Sequence, residues 1–519
     1  MNIRVLDSTL RDGAQGEGIS FSVSDKINIC RALDDYGVSY IEAGNPLSNP
    51  KDIEFFDKIK GVRLKNSKLC AFGSTKRKGE SAGRDPNIRA LADSHASVAV
   101  IFGKAWLLHV FEILKISEEE NKELIYDTIK FLKSRGKEVI FDAEHFFHGY
   151  KDNAEYALST LKTAIDAGAD SVCLCDTNGG GLPNEIYAAT REVCVAFSQT
   201  SIGIHAHNDA GCGVANTIMA VSAGADSVQG TFIGFGERCG NANLSAVLPN
   251  LTLKGGYTCD GDLGKLFETS HKIAEIANVV IPGGKPYIGR NAFTHKAGMH
   301  IDGVLKCSKT FEHIDPQTVG NERNFLISEM AGRGAIISKI NQIAPELTKD
   351  SPKTAEILDK LKELEHSGYQ FEGADASFEL LVKKIVGSYK PFFTLKFYKT
   401  QGEFPSIEGE LHSAAMIKID VDGKTEITAA TGNGPVNALD NALRRALSVF
   451  YPALNDMYLS DYKVRVLDQN NATASTVRVL IETADTSGSW TTVGVSNDII
   501  EASLTALIDA IEYKLSKER

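Results

Sequence analysis

Residues 166–176 read DAGADSVCLCD and residues 222–231 read SAGADSVQGT. Each phrase ends a helix-like stretch at glycine and enters an apolar, β-branched run, which is the join between the helix of one βα unit and the strand of the next. Outward from these joins the same rhythm fills the first 250 residues. Eight strand candidates, IRVLD, SYIEAG, KLCAF, SVAVIF, EVIFDAE, SVCLCD, IGIHAH and SVQGT, alternate with amphipathic segments. In one of these, SDKINICRALDDYG, Ser24 is expected to cap the helix and Gly37 to stop it. Eight units favour an α/β fold of the closed (β/α)8 TIM-barrel type over an open doubly wound sheet.

Barrel enzymes build their sites from loops at the carboxyl ends of the strands. Arg11 and Asp12 follow the first strand, Glu42 closes the second, Glu144 follows the fifth and Thr177 the sixth. His205 and His207 end the seventh, and Glu237 to Asn241 follow the eighth, so polar residues with usable chemistry converge on one rim. Histidines at i and i+2 of an extended segment point to one side and can grip one divalent ion. Alone, such a pair is more often a polar rim than a metal site. With Asp12 and Asn241 arriving from other strand ends, imidazole plus oxygen donors suit zinc, iron, cobalt or manganese better than calcium. Cys173 and Cys175 read as alternate residues of a buried strand rather than as metal ligands.

After the barrel, placed at residues 1–270, the expected organisation is a helical linker subdomain over 271–388 and an α+β module over 389–519. The module is duplicated: FTLKFYK, IKIDVDG and EITAATG lead to a helix over Val436–Leu447, and KVRVLDQ, STVRVLIETA and SWTTVGV lead to a helix over Ile500–Leu515. The copies align Asn433 with Asn497, Ala438 with Ala502, Leu443 with Leu507 and Ala446 with Ala510. No catalytic constellation lies in it, so regulation or dimerisation is its natural role.

A net charge of −11 and the lack of a Lys/Arg-rich run argue against a nucleic-acid partner. No stretch of about 18 apolar residues suggests a membrane span, and MNIRVLDSTL does not resemble a secretory signal. Nine scattered cysteines suit reduced thiols in a cytoplasm.

The strings DSTLRDGAQGEG, FDAEHFF, CDTNGGGLP, GIHAHND, GFGERCGNANL, HKAGMH and WTTVGVS together resemble the 2-isopropylmalate, homocitrate and citramalate synthases. GAQGEGISFS, SNPKD and the terminal IIEASLTALIDAIEYKL resemble the citramalate synthase subgroup most. The resemblance implies an acyltransferase that joins acetyl-CoA, as co-substrate, to a 2-oxo acid. In the subgroup that acid is pyruvate, and the product is (R)-citramalate for isoleucine synthesis. It implies a divalent metal (zinc, manganese, magnesium or cobalt), a C-terminal domain binding a branched-chain amino-acid effector, and a homodimer. By motif, Asp12, His205 and His207 would ligate the metal with Asn241 as a fourth ligand, and Arg11 would face the substrate oxygens. Thr177 would donate to the substrate carboxylate, and Glu144 would be the base, with His300 assisting the thioester enolate or the hydrolytic water. The alternatives are 2-isopropylmalate or homocitrate synthesis, a carbon–carbon lyase of the hydroxymethylglutaryl-CoA lyase type, and a non-catalytic amino-acid sensor.

Some residues depart from the pattern or carry two readings. His148 stands where the family string has Asp, and with His145 it reads as a supporting or surface residue rather than a ligand. Ile233 replaces a frequent Asn, Asn45 a frequent Trp, and the linker shows no match to the tyrosine that some relatives place near acetyl-CoA. Glu237 reads as a further carboxylate or as half of a salt bridge, and Gly179–Gly181 as a phosphate cradle or a tight turn.

Overall fold

The computed structural model describes residues 1–325, 333–371, 373–402, 413–467, 475–486 and 488–517. Its packing divides into two units, Met1–Phe293 with His313–Arg323, and Thr294–Glu312 with Asn324–Arg519.

All eight expected strands form in the first unit: β1 Asn2–Asp7, β2 Tyr40–Glu42, β3 Lys68–Ser74, β4 Val98–Lys104, β5 Glu138–Glu144, β6 Ser171–Asp176, β7 Ser201–Ala206 and β8 Ser227–Gly230. They pair in parallel in chain order, and β1 closes the ring, with Leu6 opposite Tyr40 on one side and Val5 opposite Val228 on the other. Parallel barrel strands are buried on both faces. In β4, Val98, Ala99, Val100 and Ile101 accordingly have at most 1% exposure. One set of alternating residues, including Ala71, Ile101 and Phe141, packs under the helices. The other set, Leu6, Tyr40, Cys70, Val98, Val100 and Ile140, fills the lower interior with a separate apolar cluster. The upper interior is left to polar side chains.

The two glycine joins work in the same way. Helices Ala154–Asp166 and Gly213–Ala223 end before Gly168 and Gly224, which take positive φ of 102° and 122°. The next aspartate then pairs with the preceding strand, Asp170 N–H to the Val139 carbonyl and Asp226 N–H to the Ile202 carbonyl, each at 2.9 Å. Both aspartate side chains add bonds there: Asp170 accepts from the Val139 N–H at 2.7 Å and Asp226 from the Ser201 hydroxyl at 2.6 Å. The repeated phrase thus hands each helix to the sheet. One cap differs from expectation. Helix Val23–Tyr36 is capped by Ser22, not Ser24, because a capping box needs its carboxylate three residues on, and Asp25 answers Ser22 reciprocally. Gly37, at φ 100°, ends it as expected.

Helix Leu266–Ile276 runs through position 270, and the first unit continues to Phe293. The second unit holds helices Pro352–His366 and Asp375–Val386 and the duplicated module, which is two antiparallel three-stranded meanders. Thr394–Gly402, Ser413–Val421 and Lys424–Gly432 lead into helix Pro435–Leu447, and Tyr458–Val466, Val477–Asp485 and Gly488–Ser496 lead into helix Ile499–Lys517. The last two residues of the expected KVRVLDQ strand lie outside the described residues. The aligned pairs Ala438/Ala502, Leu443/Leu507 and Ala446/Ala510 are buried in one shared core. No described helix is long and apolar enough to cross a membrane.

Candidate active site

The β1 loop turns tightly on Ser8, whose carbonyl accepts the N–H of Arg11 and Gly13 at 3.1 and 3.0 Å. That turn aims Arg11 and Asp12 over the barrel mouth. Arg11 donates through Nε to Glu42 at 2.7 Å and through Nη1 to Asp12 Oδ2 at 2.6 Å, with its guanidinium 3.8 Å above the Phe72 ring. Burial would favour losing that charge, but Glu42 and Asp12 outweigh it and raise the pKa further. The loop after β8 doubles back on the end of β7: His207 pairs with Asn241 as an antiparallel bridge, and Asn208 N–H reaches the Gly240 carbonyl at 2.9 Å. Gly240 permits this at φ 82°, where a Cβ would lie 2.1 Å from the Gly234 carbonyl oxygen.

Asp12, His205 and His207 meet there, each buried, with one ligand atom apiece all within 4.8 Å of one another. His205 Nε2 and His207 Nε2 stand 3.3 Å apart, and each faces Asp12 Oδ2, at 3.8 and 4.0 Å. Asn241 donates to Asp12 Oδ1 at 2.8 Å and leaves its own oxygen buried without a partner. Burial would raise the Asp12 pKa, but Arg11 and the two histidines hold it well below the carboxylate range. Burial, then His205, pushes His207 down to about 4, so it is neutral near pH 7. A carboxylate and two imidazoles converging at that spacing, with a spare amide oxygen beside them, fit a divalent transition metal.

Arg11, Asp12, Glu144, Thr177, His205 and His207 line one cavity of about 200 Å³, with Phe72, Phe102, Asp142 and Cys175. Thr177 Oγ1 accepts the His145 N–H at 2.9 Å. Glu144 is held through Oε2 by Lys104, and its Oε1 lies 4.0 Å from His145 Nε2. His300 belongs to the second unit, on helix Gly298–Lys306, exposed and with its ring 4.2 Å from that of Phe311.

The residues with two readings separate as well. His145 and His148 pack around Trp106, and burial, with His109 and Lys104, pushes His145 down to about 3. Glu237 is exposed, while its neighbour Arg238 clamps Asp209 at 2.8 Å and the Thr177 carbonyl at 2.7 Å. Gly179 and Gly181 donate to Asp176, and a Cβ at Gly179 would meet Asp209 at 2.4 Å, so these glycines make a tight turn flanked by acids. Cys173, Cys175 and Asp142 also lie within 4.8 Å of one another. Burial holds the Cys173 thiol well above its ordinary pKa and Asp142 already accepts from Gln229, as expected of core strand residues. Ile233 is buried at φ 67°. Asn45 bonds Asn87 at 2.7 Å beside a second cavity of about 360 Å³ that shares Arg11 and Phe72 with the first. Lys104, Phe72, Phe102 and Gln229 lie in none of the motif strings, and Asp142, though inside FDAEHFF, has no role assigned by it; only their place near strand ends hints at the site.

Residues 2–275 match the family model described as HMGL-like, 287–368 the homocitrate synthase post-HMGL domain-like model, and 372–515 the LeuA allosteric (dimerisation) domain. An (R)-citramalate synthase of Aquifex aeolicus is 49% identical over 99% of this chain and 98% of its own. One from Geobacter sulfurreducens is also 49% identical, with the same coverage of both chains. A probable 2-isopropylmalate synthase of Methanopyrus kandleri is 32% identical over 100% of this chain and 99% of its own. The chain belongs to the HMGL-like family, in its citramalate synthase subgroup. Synthases of the HMGL-like family are acyltransferase-type condensing enzymes, generally dependent on a divalent metal and using acetyl-CoA. The LeuA domain brings oligomerisation and allosteric regulation with it, and its match spans both copies of the meander.

Proposed function

We propose that this chain condenses acetyl-CoA with pyruvate to give (R)-citramalate and CoA, in the cytoplasm and on the way to isoleucine. The observation carrying this is the convergence of Asp12, His205 and His207 with Arg11, Glu144 and Thr177 on one cavity. Asp12, His205 and His207, with the Asn241 oxygen as a fourth donor, would hold zinc, manganese, magnesium or cobalt. The bound ion supplies Lewis-acid polarisation of the 2-oxo acid.

The chain's own groups do the rest. Thr177 has its oxygen engaged by the His145 N–H, so its hydroxyl hydrogen is free to donate to the pyruvate carboxylate. Glu144, with Oε2 held by Lys104, takes a proton from the acetyl methyl through Oε1. The resulting thioester enolate attacks the ketone carbon, one carbon–carbon bond forms, and negative charge moves to the ketone oxygen. Arg11, fixed by Glu42 and Phe72 and unable to lose its charge, stabilises that oxygen. His300 assists the enolate or the water that then cleaves the thioester. We further infer a homodimer through the module of residues 389–519, with a branched-chain amino acid as effector, and a linker over 271–388 joining it to the barrel. CoA release from pyruvate, with none above background from 2-oxoisovalerate or 2-oxoglutarate, tests the reaction; the opposite preference overturns the substrate.

A further inference from the structure

Gln229 and Asp142 have no part in the chemistry above, yet each is only 3% exposed inside the barrel. Gln229 on β8 is the register partner of His205 on β7, while Asp142 lies on β5. The glutamine spans the interior between them. Its Nε2 donates to Asp142 Oδ1 at 2.8 Å, and its Oε1 faces His205 Nδ1 at 2.9 Å. As placed, the chain of bonds has one direction: Asp142 Oδ1 accepts and so takes the amide nitrogen. The amide oxygen is left for His205, and it can only accept. Nδ1 of His205 therefore carries the ring hydrogen, and Nε2 is bare. Nε2 is the atom facing His207 Nε2 and Asp12 Oδ2. A reversed amide would donate to Nδ1, move the hydrogen to Nε2 and close that ligand position. His207 has no such control, since its Nδ1 is buried without a partner.

We propose that Asp142 and Gln229 are positioning residues that lock His205 in the Nδ1–H tautomer and so present its Nε2 lone pair to a divalent cation. This rests on reading Asp12, His205 and His207 as the metal site. Outer partners of metal-bound histidines commonly change affinity by about 10- to 100-fold.

The test uses the full chain, stripped with a chelator and titrated with cobalt(II), followed by visible absorption and by competition with a chelating dye. Gln229→Met, close in size but with no acceptor, is expected to weaken cobalt binding by about 10- to 100-fold. Gln229→Glu keeps an oxygen toward Nδ1 and can share one proton with Asp142, so it is expected to restore near wild-type affinity. Long-range proton–nitrogen spectra of the metal-free, histidine-labelled chain give a readout independent of metal. His205, assigned by its loss in His205→Asn, should appear as the Nδ1–H form, mixed with Nε2–H in Gln229→Met. A wild-type His205 in the Nε2–H form, or a methionine variant with unchanged affinity and tautomer, overturns the proposal. If His207→Ala binds cobalt as tightly as wild type, the metal-site reading fails instead. If cobalt binds as expected but pyruvate yields no CoA, only the reaction assigned above fails.

Discussion

Replacing Thr177 by valine keeps the side chain's shape and removes one oxygen, and two separable losses should follow. The first is structural. Thr177 Oγ1 accepts the His145 N–H at 2.9 Å, and His145 is held at φ 59° with its ring 4.2 Å from that of His109. The residue is buried, so the N–H cannot turn to water, and leaving it unpaired costs about 1–3 kcal/mol of stability. The second is kinetic. A hydroxyl bonded to an anionic carboxylate contributes about 1.5–3 kcal/mol, or roughly 10- to 150-fold in kcat/KM for pyruvate. That bond exists in the ground state and the transition state alike, so the loss should fall on KM rather than kcat. Thr177→Ser should recover both. CoA release against pyruvate concentration gives the kinetic effect. Trp106, whose ring is 5.7 Å from that of His145, reports urea unfolding of the barrel in a Trp490→Phe background, since the chain has two tryptophans. A valine variant with wild-type KM refutes the carboxylate role, and one with an unchanged urea midpoint refutes the His145 bond.

Chelation should abolish CoA release reversibly, and Asp12→Ala should lose metal uptake measured by elemental analysis, because it removes the only carboxylate of the triad. Phe72 and Phe102 stack at 5.3 Å along the cavity wall. Phe102→Ala should therefore raise kcat/KM for 2-oxobutyrate relative to pyruvate by about 10-fold or more, the scale of one methylene in an apolar pocket, and an unchanged ratio would place the substrate's side chain elsewhere. Asp34 is buried, which would raise its pKa, but the N–H groups of Lys65, Asn66 and Ser67 outweigh that and hold it below the ordinary carboxylate value. Its folded pKa is thus lower than its unfolded one, so its stabilisation is full above an ordinary value of about 4 and is lost as pH falls through the folded value. Urea midpoints should drop below about pH 5 in the wild type and less steeply in Asp34→Asn.

What could be read from the sequence and what could not divide along one physical line. The barrel was legible because each βα unit is a local object: a glycine stop, a β-branched run and an amphipathic helix all lie within one unit of chain. Asp12 was legible as a partner of His205 and His207, although far from them in sequence, because a closed barrel brings every strand's carboxyl end to one rim. The fold thus served as the instrument for finding the site. The Ser24 expectation failed at a smaller scale, where the reciprocal bond of Asp25 decided between two serines two residues apart.

Depth was not legible in this way. Rim logic says which strand end a residue occupies and nothing about what its side chain meets across the interior. Gln229 and Asp142 are 87 positions apart on strands that are not neighbours, and Lys104 and Glu144 are 40 apart. Gln229 and Lys104 look like ordinary strand residues in their own segments, and even Glu144, legible as a rim carboxylate, carries no mark of its partner, since alternation marks facing but not partners. For Gln229 and Asp142 the significance comes from burial, which forbids an unpaired amide or carboxylate and so forces each to find the other. A buried polar residue in a barrel strand should therefore be read as half of a bond whose other half lies on some other strand. For Gln229 that bond ends on a candidate metal ligand, where the direction of a single amide decides whether the nitrogen facing the site carries a lone pair or a hydrogen.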